Sequence, residues 1–234
     1  MVIIPARGGS KRIPGKNLKY LGEKPLIDHS IQMALSLFPK ENICLTTDDD
    51  ALLERGRKYG LDIPFKRPPE LAADTTKMVD VLKHAVAFYE AKNFQFDKIL
   101  LLQPTSPFRK KSHITEALKI YSSDVDVVAS VYETQSNPYY VLFEEDQNGY
   151  IKKSKGEKFF ARAQDVPVVY ELNGSVFIIN AETLKNTSCT SVMEFPRVKK
   201  FVMEAFYSVD LDTEIDWEFA EFLLNKKIIS FGYE

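Results

Sequence analysis

Little in this chain of 234 residues invites a disulfide or metal-stapled scaffold. It has two cysteines, Cys44 and Cys189, too few and too far apart for a disulfide framework or a thiolate zinc site. Cys44 lies in an apolar run and is expected to be buried filler rather than a nucleophile. No apolar run approaches the roughly 18 residues that a membrane helix needs. The start, Met1-Val2-Ile3-Ile4-Pro5, is too short for a signal segment and has no basic stretch before it, so a cytoplasmic protein is expected. A surplus of one charge is also missing. Lys and Arg number 31 against 33 Asp and Glu, a net charge of −2, so no global field draws the chain to nucleic acid or membrane and any basic site must be local. The histidines, His29, His84 and His113, lie in or beside helical patterns without an acid or cysteine nearby in sequence, which points to structural roles. There is no GxSxG nucleophile turn, no internal repeat and no low-complexity segment.

What is present is an ordinary globular balance, 44% hydrophobic and 27% charged, expected to form one domain over residues 1–234. Val2-Ile3-Ile4 reads as a buried strand. Pro25 opens a helix with Leu26, Ser30, Met33, Ala34 and Leu37 on one face. A strand at Asn42 to Thr46 and a helix from Ala51 to Tyr59, ended by Gly60, follow. Asp74 can cap a long helix reaching Asn93. Lys98 to Leu102 reads as a strand, Lys111 to Tyr121 as a helix, Asp126 to Val131 as a strand. This alternation predicts an α/β fold, a mostly parallel sheet with helices on both faces. Ligands in such sheets bind beyond the carboxyl ends of the strands, which brings the loops Ala6–Asn17, Thr46–Asp50 and Gln103–Arg109 to one rim. Residues 136–165 break the pattern and read as an inserted antiparallel hairpin turning at Asn148-Gly149; exposed hairpins of this kind pair with a second subunit. The core resumes at Ser175 to Ile179 and finishes with Ser208–Asp212 and a helix from Thr213, with Ile215, Phe219, Phe222 and Leu223 as its apolar face.

The loop from Arg7 to Asn17 holds three glycines, two lysines, two arginines and a proline directly after the first strand. Glycines free backbone amides to approach an anion, and the cations neutralise phosphate. Five residues between Gly9 and Gly15, and Asn17 after Lys16, rule out a Walker A loop; GxGxxG is absent too. Asp210 and Asp212 stand two apart, so an extended chain points both carboxylates to one side, where they can hold Mg²⁺. The same segment also fits a capping role, with Thr213 and Asp216 as a capping box. Asp48-Asp49-Asp50 precedes a helix, where acids suit the dipole better than a metal site. Gln103 offers an amide on the rim, and Arg67, in Arg67-Pro68-Pro69, can reach a phosphate or base.

The segments Ile4-Pro5-Ala6-Arg7-Gly8-Gly9-Ser10-Lys11 and Pro14-Gly15-Lys16-Asn17 resemble the opening of the acylneuraminate cytidylyltransferases, the CMP-sialic acid synthetases. Thr47-Asp48-Asp49, Arg67-Pro68-Pro69-Glu70-Leu71-Ala72, Leu101-Leu102-Gln103-Pro104-Thr105-Ser106-Pro107, Asn173-Gly174-Ser175 and Val209-Asp210-Leu211-Asp212-Thr213 continue the resemblance in the family's order. It implies a Rossmann-like nucleotidyltransferase, a homodimer joined through the hairpin insertion, and the conversion of CTP and a nonulosonic (sialic-type) acid to CMP-sugar and pyrophosphate with Mg²⁺. It also implies that Arg7 and Lys16 hold the triphosphate, that Asn17 and Arg67 contact the nucleotide together with Ala6, Gly8, Gly9 and Ser10, and that Gln103 lies between nucleotide and sugar. Asp210 and Asp212 would bind the metal, Asp212 would help deprotonate the anomeric hydroxyl, and Arg162, Asn173 and Phe177 would line the sugar pocket. The resemblance departs at Met78, at Arg162-Ala163 and at Pro138-Tyr139-Tyr140, where the sugar's identity, sialic, legionaminic or pseudaminic acid, is left open. Kdo or a hexose 1-phosphate as acceptor is the nearby alternative. A non-catalytic nucleotide- or RNA-binding module is the distant one; such a binder does not need the Asp210/Asp212 pair.

Overall fold

Val2, Ile3 and Ile4 feed both faces of one sheet: Val2 and Ile4 enter one core cluster, Ile3 the other. Successive side chains of a strand point to opposite faces, so a run apolar at every position belongs between two helical layers. In the computed structural model, which describes residues 1–233, the run forms β1 (Val2–Pro5). A short hairpin of β2 (Tyr20–Leu21) and β3 (Lys24–Pro25) leads into α1 (Leu26–Leu35). Then come β4 (Ile43–Thr46), α2 (Asp50–Lys58), α3 (Met78–Ala91), β5 (Lys98–Leu101), α4 (Lys111–Ile120) and β6 (Val127–Glu133). The insertion carries β7 (Phe143–Glu145) and β8 (Ile151–Lys153), after which β9 (Tyr170–Asn180), α5 (Ala181–Asn186), β10 (Val198–Val202) and α6 (Glu214–Asn225) complete the chain.

The main sheet has six strands in the order β10-β6-β9-β5-β1-β4. Only β9 runs against its neighbours β5 and β6; the pairs β1–β4, β1–β5 and β10–β6 are parallel. Helices α1, α2 and α4 pack on one face through Ile27, Ile31, Leu52, Ile114 and Ala117. Helices α3 and α5 pack on the other through Val79, Leu82, Val86, Ala181 and Leu184. Cys44 is buried in that second layer, where burial pushes its thiol up to about 12. A third cluster joins Ile13, Leu21, Phe108, Leu211, Trp217 and Leu223, and so seats α6 against the N-terminal loop. Among the described residues no helix is long and apolar enough to cross a membrane.

Several expectations change. Helix α3 is entered through Lys77, not Asp74, whose carboxylate is drawn instead to cations of the N-terminal loop. Ser208–Asp212 is not a strand; a short 3₁₀ turn ends at Ser208, and Leu211 N donates to Thr105 O at 2.8 Å. Helix α6 buries Trp217, Ala220 and Leu223, while Ile215, Phe219 and Phe222 face outward. The edge strand β10 was not expected. Asp49 caps α2 by accepting from Leu52 N at 3.0 Å, and Thr213 with Asp216 forms the capping box of α6. Two histidines have structural partners: His29 Nε2 donates to Leu21 O while its Nδ1 bonds Tyr233 Oη, and His113 Nε2 donates to Glu204. Burial holds His29 down to about 4, so it packs as a neutral ring.

Candidate active site

The N-terminal loop is fixed from below before it can face a ligand. Gly8 N donates to Asp48 Oδ1 at 3.0 Å. A Cβ on Gly8 would stand 2.7 Å from Asp49 Oδ2, so this close approach admits only glycine. Gly15, at φ 64°, turns the chain into a 3₁₀ turn over Lys16–Leu18 and swings Lys16 inward. There Lys16 Nζ donates to Leu211 O at 2.6 Å and to Asp212 Oδ1 at 3.2 Å, joining two segments 195 residues apart. Asn17 Nδ2 donates to Arg7 O at 3.0 Å and steadies the backbone from which Arg7 projects.

Arg7, Ser10, Lys16, Asn17, Arg67, Gln103, Asp210 and Asp212 all line one cavity of about 390 Å³. It lies at the carboxyl ends of β1, β4 and β5, where their following loops meet. Leu71, Ala73, Met78 and Val81 give it an apolar wall opposite the loop. Arg67 is 5% exposed and reaches up from behind β4, bonding Thr46 Oγ1 at 3.1 Å and the Thr46 carbonyl. Burial lowers its pKa, with the Asp48 charge opposing that shift. A second hollow of about 340 Å³ continues from the first and is lined by Arg7, Lys11, Arg12 and Lys16 with Asp74 and Asp212.

Each carboxylate of that hollow holds two loop cations. Asp212 pairs with Arg12 at 2.9 Å and Lys16 at 3.2 Å; Asp74 pairs with Arg7 at 2.5 Å and with Lys11. Asp74 thus stands where an anionic ligand would stand. The exchange Asp74→Asn is expected to tighten binding of inorganic triphosphate by about 3- to 10-fold, since exposed pairs of this kind are weak but charge-selective. Calorimetric titration measures it; weaker binding would show that Asp74 supports the loop instead of competing with its ligand.

Asp210 is exposed and lines the cavity, with Ser106 against its carboxylate. Desolvation first, then the like charge of Asp212, push its carboxyl above the usual range, against hydrogen bonds from Thr105 and Ser106. Ser106 Oγ donates to Asp210 Oδ1 at 3.2 Å and to Asn173 O at 2.9 Å. Two facing carboxylates beside a basic hollow are a hard-oxygen donor set that a divalent cation shared with phosphate oxygens would complete. Among the described residues no group of three or more His, Cys, Asp or Glu is placed to hold a metal ion.

Other expected site residues lie elsewhere. Ala6 is buried beneath the loop, and Gly8 and Gly9 shape the loop without lining the cavity. Arg162 is on the insertion, where it forks onto Asp165 at 2.9 and 3.0 Å. Asn173 is 2% exposed; its amide is occupied by Ser130 Oγ, Ser175 N and Ser208 Oγ. Phe177 is a core residue of β9 between Leu101 and Ala129, in the layer under α3. None of these three reaches the cavity within one chain. Sequence reasoning missed Asp74, because a carboxylate four residues before a helix has the look of a cap. It also missed Thr105, although its loop was on the expected rim.

Residues 1–221 match the family model described as "Cytidylyltransferase". A CMP-N,N'-diacetyllegionaminic acid synthase from Legionella pneumophila is 34% identical over 225 residues, covering 96% of this chain and 95% of that protein. An N-acylneuraminate cytidylyltransferase from Streptococcus agalactiae is 37% identical over 219 residues, 92% of this chain and 51% of that longer protein, so the chain spans about half its length. Among solved structures, a CMP:2-keto-3-deoxy-manno-octonic acid synthetase complexed with CTP superposes with a TM-score of 0.68 at 19% identity, covering 97% of this chain and 98% of that one. That likeness concerns the fold.

Proposed function

This chain belongs to the cytidylyltransferase family, and from that premise we propose that it joins CTP to a nonulosonic acid, giving CMP-sugar and pyrophosphate. The single observation that carries the reading is that the loop cations and the Asp210/Asp212 pair line one cavity. Arg7 and Lys16 hold the triphosphate; Asn17 and Arg67 contact the nucleotide; Gln103 lies toward the sugar. The anomeric hydroxyl oxygen forms the new bond to the α-phosphorus, the bridge to the β-phosphate breaks, and pyrophosphate leaves. The hydroxyl proton passes to Asp212. Asp210 and Asp212 would hold Mg²⁺, which when bound neutralises charge on the phosphates. The protein's share is positioning and fixed charge, with no covalent intermediate.

The cavity of one chain lacks Arg162, so the far end of the sugar site is open. We place there a second copy, seated through the insertion, whose Phe143, Tyr150, Ile151 and Phe159 are 49%, 71%, 69% and 83% exposed. Sedimentation of the purified protein should give twice the chain mass; a monomer at micromolar concentration contradicts this.

The activity itself is tested by pyrophosphate release with CTP, Mg²⁺ and a panel of sialic, legionaminic and pseudaminic acids, Kdo and a hexose 1-phosphate. Turnover with a nine-carbon acid is expected. Turnover only with Kdo or the hexose phosphate moves the acceptor class, and no turnover with any sinks the reading. RNA binding with a steep salt slope and no turnover would establish a binding module instead.

A further inference from the structure

The bulkiest fully buried side chain of the protein is a cation: Arg109 is 0% exposed. Its donors are spent on neutral oxygens. Nε donates to Ser175 O at 2.8 Å, Nη1 to Ser30 Oγ at 3.0 Å, and Nη2 to the Gln103 carbonyl. Those acceptors belong to β9, α1 and the cavity rim, so one planar fork ties the sheet and a helix to a residue that lines the site. The buried acids Asp28 and Asp126 each hold an arginine partner, whereas Arg109 forms no ion pair among the described residues. A buried charge left without its counter-ion is costly and calls for a reason. Asp210, a carboxylate that lines the cavity, stands against the loop that carries Arg109. Ser106, on the same loop as Arg109, donates to Asp210.

We infer that Arg109 is a positioning residue of nucleotidyl transfer, which fixes Gln103 at the cavity rim and sets a buried positive charge behind Asp210. This rests on the cavity being the cytidylyl-transfer site. The sign of its effect follows from Coulomb's law: a cation behind a carboxylate opposes a second cation in front of it. Arg109 therefore weakens the hold of Asp210 and Asp212 on a divalent metal while keeping the rim in place for the in-line attack. The two effects separate on substitution. Loss of Arg109 tightens metal binding and slows turnover, whereas loss of a residue with only a packing role loosens both.

The test is a titration of Mn²⁺ into the metal-free protein, followed by electron paramagnetic resonance, for the wild type, Arg109→Lys and Arg109→Met. Arg109→Met is expected to bind Mn²⁺ about 3- to 10-fold more tightly. Its kcat should fall at least about 30-fold with KM for CTP held within about threefold. Arg109→Lys keeps the charge and should bring the Mn²⁺ midpoint back to within about twofold of wild type. Arg109→Gln drops the charge but keeps an amide for the Gln103 carbonyl, and carries the same comparison if the methionine variant does not fold. An Mn²⁺ midpoint that is unchanged or weaker in the neutral variants overturns the inference, as does a lysine variant that behaves like them. The metal titration needs no turnover, so it stands apart from failure of wild-type protein on the sugar panel, which would overturn the transfer reading.

Discussion

Replacing Lys16 with methionine is expected to lower kcat/KM for CTP by about 10³-fold while the protein stays folded. The side chain is 9% exposed, and its ammonium is held by Leu211 O and Asp212 Oδ1 at the floor of the hollow. A charge in that setting is poorly screened by solvent and does not reorganise when a phosphate arrives, which is where fixed cations contribute most. About 10³-fold corresponds to ~4 kcal/mol of lost transition-state stabilisation, within reach of one preorganised group. Methionine keeps the stem's packing, so the melting temperature should move by only a few degrees, within about 2 kcal/mol for the unpaired Leu211 carbonyl. Lys16→Arg should not restore activity, because a guanidinium is too wide for a slot nearly closed to solvent. Arg12→Met supplies the contrast. Arg12 is 70% exposed and makes one outer contact with Asp212, so its loss should cost less than about tenfold. Steady-state pyrophosphate release checks all three variants; equal losses at Lys16 and Arg12 would refute the ranking by burial.

That ranking is invisible in the loop's composition, where four cations look alike. The sequence carried the fold wherever periodicity meets burial: Val2-Ile3-Ile4 and Ser175 to Ile179 could only be inner strands, and the βα alternation set the rim. It failed where a tertiary partner decides. Val198-Lys199-Lys200-Phe201-Val202 forms the edge strand β10 with its lysines toward solvent, so it shows no apolar alternation to read. Helix α6 offers two stripes at helical spacing, and spacing alone does not say which turns inward; Trp217 and Leu223 do, because the loop cluster around Ile13 and Leu21 lies on their side. Asp74 passes for a cap until Arg7 and Lys11 come within reach across the fold. Arg109 passes for an ordinary loop cation, since nothing in the local sequence says that its loop folds under the sheet's rim. Asp210 and Asp212 both line the cavity, although the segment is not the strand that their i, i+2 spacing suggested. That spacing could not announce Lys16 bonding Leu211 O and Asp212 from the other end of the chain.

Asp210→Asn should separate stability from function more sharply than any other substitution. In the free protein the Asp210 carboxyl is pushed up by desolvation and by the like charge of Asp212. A folded-state pKa above the unfolded value means that ionisation works against folding at neutral pH. Asparagine has the same shape, still accepts from Ser106, and carries no charge. The variant's melting temperature is therefore expected to be no lower than that of wild type in metal-free buffer. Turnover should fall by at least about 10³-fold, because the charge that makes the acid uncomfortable alone is the charge the loaded site needs. Added Mg²⁺ should raise the melting temperature of wild type and leave that of Asp210→Asn nearly unmoved, since a ligand stabilises only the state that binds it. Thermal unfolding with and without Mg²⁺, beside the pyrophosphate assay, reads both halves. A variant that melts several degrees early would make Asp210 a structural acid, and one that keeps more than a tenth of wild-type turnover would remove it from the reacting site. If the variant is instead as stable as wild type and inert, the charge of Asp210 is the part of this site that is set aside for the incoming nucleotide and its cation.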